Sequence, residues 1–420
     1  MKQNMQVAGK LDQLKINSYK KAKTVSLPRL EVETTWGILV ACTSTLALIW
    51  RLSAITLGKV SASELATKHQ LYINSPWWKS FANIYGPYYF LLHLTYAISS
   101  NAWSLRLASV LLGVVTVTLV YWIVNQFHGY KIGLLAAGVA LFSFGQLAIS
   151  RNGTPLSVQP LMLVALLSAI IYLSRRTDII GFSLMLVLAM LGLYIPGGIW
   201  LSLTALALSW PDLKESFTGI NVRSRIIAGV GGIILMAPLL FRLVVHYSQS
   251  QIYIWLGYGL KGNALHVIHS FGNNILSTPL DLFLRNMNLN SNLSLGHLPA
   301  MPFAFTILSL LGLFSYATRF KNWRFRAIIL LMVICWAMSG FNLINPLALL
   351  PLFAISAGTG MAYMLKQWYV VFPRNKIAKN FGPILMSLVI IFISFYSFRS
   401  YIVAWANNPI TKTTYSKKLN

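Results

Sequence analysis

One acidic side chain is placed where it could remove a proton from a substrate. Glu64 is the only acid between residues 58 and 102, a polar stretch that follows the first long apolar segment. A carboxylate held at a membrane surface can serve as a general base and take a proton from an acceptor hydroxyl. The sequence therefore offers Glu64 as a candidate base, and a solvated loop glutamate is the alternative.

Two arginines stand at the ends of apolar segments near this stretch. Arg106 opens the run 103–127, and Arg151 directly follows the run 133–149. An arginine at the outer end of a membrane span is unfavourable unless a phosphate or a carboxylate pairs with it. A guanidinium group binds phosphate through two parallel hydrogen bonds, which would suit a carrier lipid with a phosphate head. The alternative is that both side chains extend to ordinary lipid headgroups.

A second polar stretch, residues 247–300, also carries groups that could contact a substrate. His266 and His269 are three residues apart and could share a helix face, yet no acid or cysteine stands near them at metal-ligand spacing. We therefore predict no metal site, and the absence of nucleotide-binding motifs indicates no cofactor. The candidate substrate contacts in and near both stretches are Lys68, His69, Lys79, Tyr88, Gln159, His266, His269, Asp281 and Arg285.

The elements that position these residues must be membrane-spanning helices. Hydrophobic residues make up 56% of the chain and charged residues 10%, with a mean hydropathy of +0.64. A soluble domain carries roughly 25% charged residues, and apolar runs here repeatedly approach the roughly 20 residues that cross a hydrocarbon core. We predict an all-α polytopic membrane protein with about eleven spans. These are 35–57, 103–127, 133–149, 157–173, 179–196, 198–210, 225–246, 301–318, 327–341, 347–365 and 381–404.

Basic residues indicate how these spans are oriented. The loop 319–326 holds Arg319, Lys321, Arg324 and Arg326, and such clusters mark cytoplasmic loops. If residues 83–99 crossed the membrane as a further span, this loop would lie outside. We therefore predict that residues 83–99 form a helix along the outer membrane face. The predicted units are a basic cytoplasmic tail at 1–34, a transmembrane domain at 35–404 with outer loops at 58–102 and 247–300, and a short extracytoplasmic tail at 405–420. The expected location is the plasma or inner membrane, with the N-terminus in the cytoplasm and the C-terminus outside.

The net charge of +26 has a different meaning here from the one it has in a soluble protein. The chain has eight acids, and its basic residues cluster in short polar gaps between apolar runs. That distribution fits contact with anionic lipid headgroups. We expect membrane lipid as a partner and no nucleic acid.

Several sequence motifs together resemble a known family. After Glu64 come the aromatic-proline segment 83–92 (Asn-Ile-Tyr-Gly-Pro-Tyr-Tyr-Phe-Leu-Leu), the segment 103–109 (Trp-Ser-Leu-Arg-Leu-Ala-Ser) and the run ending Ile149-Ser150-Arg151. The chain is similar to GT-C membrane glycosyltransferases of the protein O-mannosyltransferase and lipid A aminoarabinose transferase type, in glycosyltransferase family 39. The resemblance is strongest over residues 60–160 and extends more weakly to Asn345-Pro346 and 401–409.

The resemblance implies a GT-C-like bundle with juxtamembrane helices in the first outer loop. It implies transfer of a hexose or pentose from a polyprenyl-phosphate donor to a protein, lipid or glycan acceptor outside the membrane. Glu64 matches the family's loop acid, the expected base, and Arg106 and Arg151 match arginines near the active-site cavity. Nearby cations would stabilise the charge that develops on the departing lipid phosphate.

Two departures from the family pattern leave a second interpretation open. Ser63 precedes Glu64, where the family usually has Asp-Glu, and Gln159 precedes Pro160, where a second acid is frequent. These changes favour a non-catalytic relative that binds polyprenyl phosphate or takes part in envelope assembly. A transporter is a third interpretation, but charged residues within the spans are scarce beyond Arg51.

Overall fold

The chain folds into a helical bundle. A computed structural model describes residues 27–73, 77–245, 249–256, 263–286, 289 and 293–418. Its α-helices are α1 (Leu27–Ile49), α2 (Ala62–Ile73), α3 (Trp77–Phe81), α4 (Gly86–Ile98), α5 (Ala102–His128), α6 (Tyr130–Phe142), α7 (Phe144–Ser150), α8 (Val158–Leu173), α9 (Ile179–Gly192), α10 (Gly198–Leu208), α11 (Trp210–Gly219), α12 (Val222–Val245), α13 (Gln249–Leu256), α14 (Ala264–Phe283), α15 (Phe303–Thr318), α16 (Trp323–Gly340), α17 (Leu350–Val371), α18 (Lys376–Arg399) and α19 (Pro409–Thr414). Turns of 3₁₀ helix occupy Ala54–Thr56, Pro155–Ser157 and Pro346–Leu349, and a π-helical turn occupies Ser400–Trp405.

Each of the predicted spans falls on helical structure. Within the described residues, seven helices are long and apolar enough to cross a membrane, and the bent pair α6 and α7 would make an eighth span. The shorter apolar helices α9, α10 and α15 cover the remaining predicted spans. The fold class is therefore confirmed as an all-α membrane bundle, whereas the count of eleven crossings stays a prediction.

The outer helices expose large apolar side chains along their length. Ile233 on α12 is 65% exposed, and Phe392 on α18 is 72% exposed. Contiguous apolar exposure of this kind is foreign to the surface of a water-soluble monomer and is met by lipid tails. The chain is an integral membrane protein, and the orientation of its termini stays a prediction. Residues 1–26 of the predicted cytoplasmic tail lie outside the described residues, and residues 27–34 belong to α1.

Helices α15 and α17 pack with their backbones in direct contact. A Cβ atom on Gly312 would lie 1.9 Å from the carbonyl oxygen of Ser356, and one on Gly360 would lie 2.0 Å from that of Leu308. The Ser356 hydroxyl also donates a 2.8 Å hydrogen bond to the carbonyl oxygen of Ser309. Small residues permit this approach, which gives membrane helices the close packing that replaces a hydrophobic driving force.

The predicted span 133–149 is not one straight helix. Ser143 has extended backbone angles (φ −66°, ψ 135°), and the axes of α6 and α7 differ by 67°. Gly145 at the start of α7 donates a 3.0 Å backbone hydrogen bond to Ala300. The sequence did not show the bend because the segments on both sides of it are apolar. The bend turns the following residues 150–159 into the bundle, where they are buried or half-buried.

The first outer loop contains the three short helices α2, α3 and α4. The predicted helix over 83–99 is present as α4, and its lie along the membrane face stays a prediction. Tyr85 stands before it in the left-handed region (φ 60°) and donates a 2.7 Å backbone hydrogen bond to Tyr194. Gly86 is required at the next position because a Cβ atom there would lie 2.3 Å from the carbonyl oxygen of Phe81.

The second outer loop holds α13 and α14. The side chain of Asn274 on α14 donates to the carbonyl oxygen of Gly340 (3.0 Å), and Trp336 on α16 donates to that of Ile275 (3.0 Å). The α14 helix therefore packs against the bundle along the C-terminal part of α16.

Candidate functional site

Glu64 and Arg106 form a buried ion pair. Arg106 Nε donates to Glu64 Oε1 at 2.7 Å, and Arg106 Nη2 donates to Glu64 Oε2 at 3.0 Å. The side chain of Glu64 is 0% exposed and that of Arg106 is 2% exposed. The pair is the only salt bridge among the described residues. Such a pair is stable at this depth only when its remaining donors and acceptors are also satisfied.

Local sequence places Glu64 at the start of α2. The backbone N–H of Glu64 donates to Ser61 Oγ (3.2 Å), and the backbone N–H of Ser61 donates to Glu64 Oε2 (3.0 Å). This reciprocal arrangement of Ser and Glu three residues apart is a capping box, which satisfies two amide groups at a helix N-terminus. The spacing of Ser61 and Glu64 is the sequence signal that could have predicted this structural role.

A fourth hydrogen bond ties Glu64 to the turn that follows α7. The backbone N–H of Gly153 donates to Glu64 Oε1 at 3.0 Å. The carboxylate thus accepts from Arg106 twice, from Ser61 and from Gly153. Because its lone pairs point at these donors and no part of it is exposed, it has no free position for a substrate hydroxyl in this arrangement.

The Arg106 guanidinium is equally occupied. Besides Glu64, it donates to the carbonyl oxygen of Leu52 (3.1 Å), the hydroxyl of Thr56 (2.8 Å) and the carbonyl oxygen of Lys59 (2.9 Å). A guanidinium group has five N–H donors, and all five are accounted for by these bonds and the two to Glu64. Arg106 therefore fixes the turn at residues 52–59 and has no donor left for a phosphate.

Arg151 caps the first membrane helix. Its Nη1 and Nη2 atoms donate to the carbonyl oxygens of Ala47 (3.1 Å) and Trp50 (2.8 Å) at the C-terminal end of α1. Cations are favourable there because the last carbonyl groups of a helix lack intrahelical partners and carry partial negative charge. The residue is 3% exposed, and its Nε atom has no hydrogen-bond partner among the described residues.

Three aromatic rings from the C-terminal end of the chain join the two arginines. The Arg106 guanidinium lies 5.5 Å from the Tyr415 ring centre, and that of Arg151 lies 5.4 Å from the Tyr401 ring centre. Trp405 stacks on Tyr401 at 4.8 Å and meets Tyr415 edge-on at 5.4 Å. Burial, together with the Glu64 carboxylate, raises the pKa of Tyr415 well above its usual value, so its ring stays a neutral partner for Arg106.

The structure therefore brings Glu64, Arg106 and Arg151 into one network, but protein atoms fill it. The expectation that these side chains face an open cavity is not met by the described residues. Their charges are used to hold α1, α2, α5 and the C-terminal tail together. A catalytic role for any of them stays a prediction and would require the ion pair to open.

The polar segment after α7 contains buried groups that lack hydrogen-bond partners. Both amide atoms of Asn152, the hydroxyls of Thr154 and Ser157, and Gln146 Oε1 have none in the part of the chain that the structure describes. Their side chains belong to residues only 1–4% exposed. A buried polar group without a partner costs roughly 1–3 kcal/mol, so a run of them marks a place where a polar ligand or water completes the bonding. Sequence reasoning did not single out Asn152, Thr154 or Ser157.

Gln159 connects this segment to two distant parts of the chain. Its Nε2 donates to the Tyr85 hydroxyl (2.8 Å), and its Oε1 accepts from the backbone N–H of Asn345 (2.9 Å). An uncharged amide can donate and accept at once, whereas a carboxylate at this position could only accept. Gln159 thus orders the start of α4 relative to the turn before α17.

The other predicted contacts are dispersed. Tyr88 is buried and shares a 3.1 Å hydrogen bond with Ser109, while Lys68 is buried on α2 beside an exposed His69. Lys79 is exposed. On α14 and just after it, His266, His269 and Arg285 are exposed and Asp281 is buried. Tyr88 reaches the buried polar segment through Ser109, whose hydroxyl donates to the carbonyl oxygen of Thr154 at 3.2 Å. The described residues hold no group of three metal-ligating side chains.

Comparison with known proteins finds similarity in structure alone. No family model and no curated protein matches the sequence. ArnT from Cupriavidus metallidurans, bound to undecaprenyl phosphate, matches with a TM-score of 0.51 and 10% identity over 91% of this chain and 77% of that chain. The oligosaccharyltransferase of Archaeoglobus fulgidus in its apo form matches with a TM-score of 0.52 and 14% identity over 91% and 56% of the two chains.

A third structure belongs to the same group. The oligosaccharyltransferase AglB from Archaeoglobus fulgidus, in complex with an inhibitory peptide and a dolichol-phosphate, matches with a TM-score of 0.54 and 12% identity. The match covers 90% of this chain and 56% of that chain. At such low identity the likeness shows the fold, and the fold is the GT-C fold that the sequence motifs predicted.

Proposed function

From the GT-C fold and the buried polar segment, we propose that this protein transfers a sugar from a polyprenyl-phosphate-linked donor to an acceptor on the extracytoplasmic side. Two of the three matched structures hold a polyprenyl or dolichyl phosphate. In the proposed reaction the bond between the sugar's anomeric carbon and the phosphate oxygen breaks, and a bond to an acceptor oxygen forms. The lipid phosphate leaves with the electron pair, and the acceptor's proton passes to a base.

The observation that carries this proposal is the set of unpartnered polar groups at residues 146–157. They lie beside the first outer loop, because Gly153 donates to Glu64, and inside an otherwise apolar bundle. The hydroxyls of a sugar both donate and accept hydrogen bonds, so they could serve as the partners that these amide and hydroxyl groups lack. The proposed sugar is a hexose or pentose, and the acceptor is a protein, lipid or glycan.

The proposal includes two candidate bases. Glu64 and Asp281 are the acids in the stretches predicted to face outward. Glu64 would act only after its pair with Arg106 opens, because protein N–H groups now occupy the positions where its carboxylate could accept a substrate proton. The test is the rate of sugar transfer per folded molecule in Glu64→Gln and in Asp281→Asn. The variant that loses transfer identifies the base, and a variant with an unchanged rate shows that its residue is not the base.

Asn152→Ala and Thr154→Val are expected to lower transfer about tenfold or more without unfolding the protein. Neither side chain makes a hydrogen bond that the substitution would break, so the melting temperature should shift by no more than about 2 °C. Losing one hydrogen bond that forms in the transition state costs roughly 10²–10³ in rate at well-placed donors. The measurement is transfer of radiolabelled sugar from polyprenyl-phosphate donors in proteoliposomes, beside the thermal midpoint of each variant.

Ser394→Ala is the matched control for this prediction. Its hydroxyl is also buried and unpartnered, but it lies on α18. It should leave both transfer and the melting temperature unchanged. Equal transfer by wild type, Asn152→Ala and Thr154→Val would show that the segment binds no sugar.

The second candidate function is a non-catalytic protein that binds polyprenyl phosphate. The occupied Glu64 carboxylate favours it, as does the exposed Ser63 at the position where the related family has an aspartate. Wild-type protein that binds the donor lipid without releasing labelled product from any acceptor class would favour this function over transfer.

A further inference from the structure

A cationic cavity opens beside the ion pair, at the ends of the first and last long apolar helices. It has a volume of about 520 Å³ and lies between residues 51–59 and residues 402–415. Arg51, Lys59 and Lys412 line it, together with the polar side chains of Asn407 and Thr411. The sequence marked Arg51 as a charge within the first span but could not name its partners, because the other cavity residues include a segment more than 340 residues away.

Among the described residues, no acidic side chain lines this cavity or pairs with its positive charge. Glu64 is the single acid between residues 34 and 177, none follows Asp281, and the carboxylate of Glu64 is neutralised by Arg106. Clustered cations attract anions, and anionic lipid headgroups are the abundant anions at a membrane surface. The lining therefore calls for an anionic ligand.

The backbone of the turn is held in an unfavourable conformation that presents these residues. Arg51 and Leu57 lie in the left-handed region, with φ values of 53° and 52°. Such a conformation costs a non-glycine residue on the order of 1–3 kcal/mol and persists only when surrounding contacts enforce it. Arg106 supplies those contacts, through its bonds to Leu52, Thr56 and Lys59. It is thus a positioning residue for the cavity wall.

The cavity rim is apolar on the side of the membrane helices. Leu57 is 82% exposed and Val403 is 50% exposed, and both line the cavity. A neighbouring cavity of about 490 Å³ shares Leu57 and Lys59 and adds Lys418. A ligand that fits both sides has an anionic head for the lysine and arginine groups and a long hydrocarbon chain for the rim. A free inorganic anion would use only half of this surface.

We propose that the cavity between residues 51–59 and 402–415 binds the phosphate headgroup of an isoprenoid phosphate lipid. This inference rests on the proposed function for the identity of the lipid, and it assigns the headgroup to Arg51, Lys59 and Lys412 instead of Arg106 and Arg151. The chain of the lipid leaves over Leu57 and Val403 into the membrane.

The test measures binding of undecaprenyl phosphate to the purified full-length protein in detergent by native mass spectrometry. The triple variant Arg51→Gln, Lys59→Gln, Lys412→Gln should bind it at least tenfold more weakly than wild type. Undecaprenol, which lacks the phosphate, should bind wild type at least tenfold more weakly than undecaprenyl phosphate. Inorganic phosphate at the same concentration should not displace the lipid.

The matched control carries the same loss of charge elsewhere. Lys321→Gln, Lys366→Gln, Arg374→Gln removes three exposed cations on segments predicted to be cytoplasmic, and it should bind undecaprenyl phosphate as wild type does. Equal binding by wild type and the cavity variant would overturn the proposal, as would equal binding of undecaprenol. If the triple variant does not fold, the single variant Lys412→Gln replaces it, because Lys412 is exposed on α19 and its loss should not affect folding. The proposal still requires this variant to bind undecaprenyl phosphate more weakly than wild type.

Failure of this inference and failure of the proposed function are distinguishable. Loss of binding in the cavity variant, with no sugar transfer by wild type, supports the lipid site and rejects the transferase. Sugar transfer by wild type that the cavity variant retains in full, with unchanged binding, supports the transferase and rejects this site.

Discussion

Replacing Arg106 with methionine is expected to lower the free energy of unfolding by about 3–5 kcal/mol. The substitution keeps an apolar stem of similar length but leaves the Glu64 carboxylate charged, buried and without its two strongest donors. It also leaves the carbonyl oxygens of Leu52 and Lys59 without the bonds that hold their turn. The loss should appear as a lower midpoint in detergent unfolding followed by tryptophan fluorescence.

Two further variants separate the ion pair from simple loss of volume. Arg106→Lys keeps the charge but cannot make five directed hydrogen bonds, so it should recover only part of the lost stability. Arg223→Met removes an exposed arginine at the start of α12 and should change stability by no more than about 0.5 kcal/mol. Equal losses for Arg106→Met and Arg223→Met would show that the ion pair contributes nothing.

Gly312→Ala and Gly360→Ala are each expected to destabilise the bundle by at least about 2–3 kcal/mol. The added Cβ atoms would lie 1.9 Å and 2.0 Å from carbonyl oxygens of the facing helix. Those atoms are backbone, so no side-chain rotation can relieve the clash, and α15 and α17 must separate. The same detergent unfolding measurement would report the effect, together with a fall in the yield of monodisperse protein.

Gly229→Ala provides the contrasting result for this pair. A Cβ atom on Gly229 in α12 would meet nothing within 4 Å, so the substitution should be neutral or stabilise the helix by up to about 1 kcal/mol. Tolerance of alanine at Gly312 or Gly360 would mean that the two helices are not packed backbone to backbone.

The sequence alone predicts the helices well, because each predicted span is an apolar run and hydrophobicity acts locally. It could not show the break at Ser143, which interrupts hydrogen bonding within a run that is apolar on both sides. Juxtamembrane helices were expected in the first outer loop, one of them over residues 83–99, but their number was not. Their exact packing, such as the bond from Tyr85 to Tyr194, depends on contacts over a hundred residues away.

The candidate site was harder to predict than the fold. The sequence identified Glu64, Arg106 and Arg151 as unusual charges, and the structure places them in one network. It did not show that Glu64 and Arg106 pair with each other. Nor did it show which backbone groups complete their bonding, because these are the carbonyl oxygens of Leu52 and Lys59 and the N–H of Gly153. The capping box of Ser61 and Glu64 was the one local signal that pointed to a structural role.

The C-terminal segment, predicted to be a short tail, is tied to the rest of the chain. Lys417 accepts a 2.9 Å backbone hydrogen bond from Val60, and Tyr415 covers Arg106. A purification tag or fluorescent fusion joined directly after this segment would pull on the pairing that closes the site. Expression work on this protein is therefore better served by a tag at the N-terminal end, and loss of function in C-terminally tagged material would reflect its attachment point rather than its chemistry.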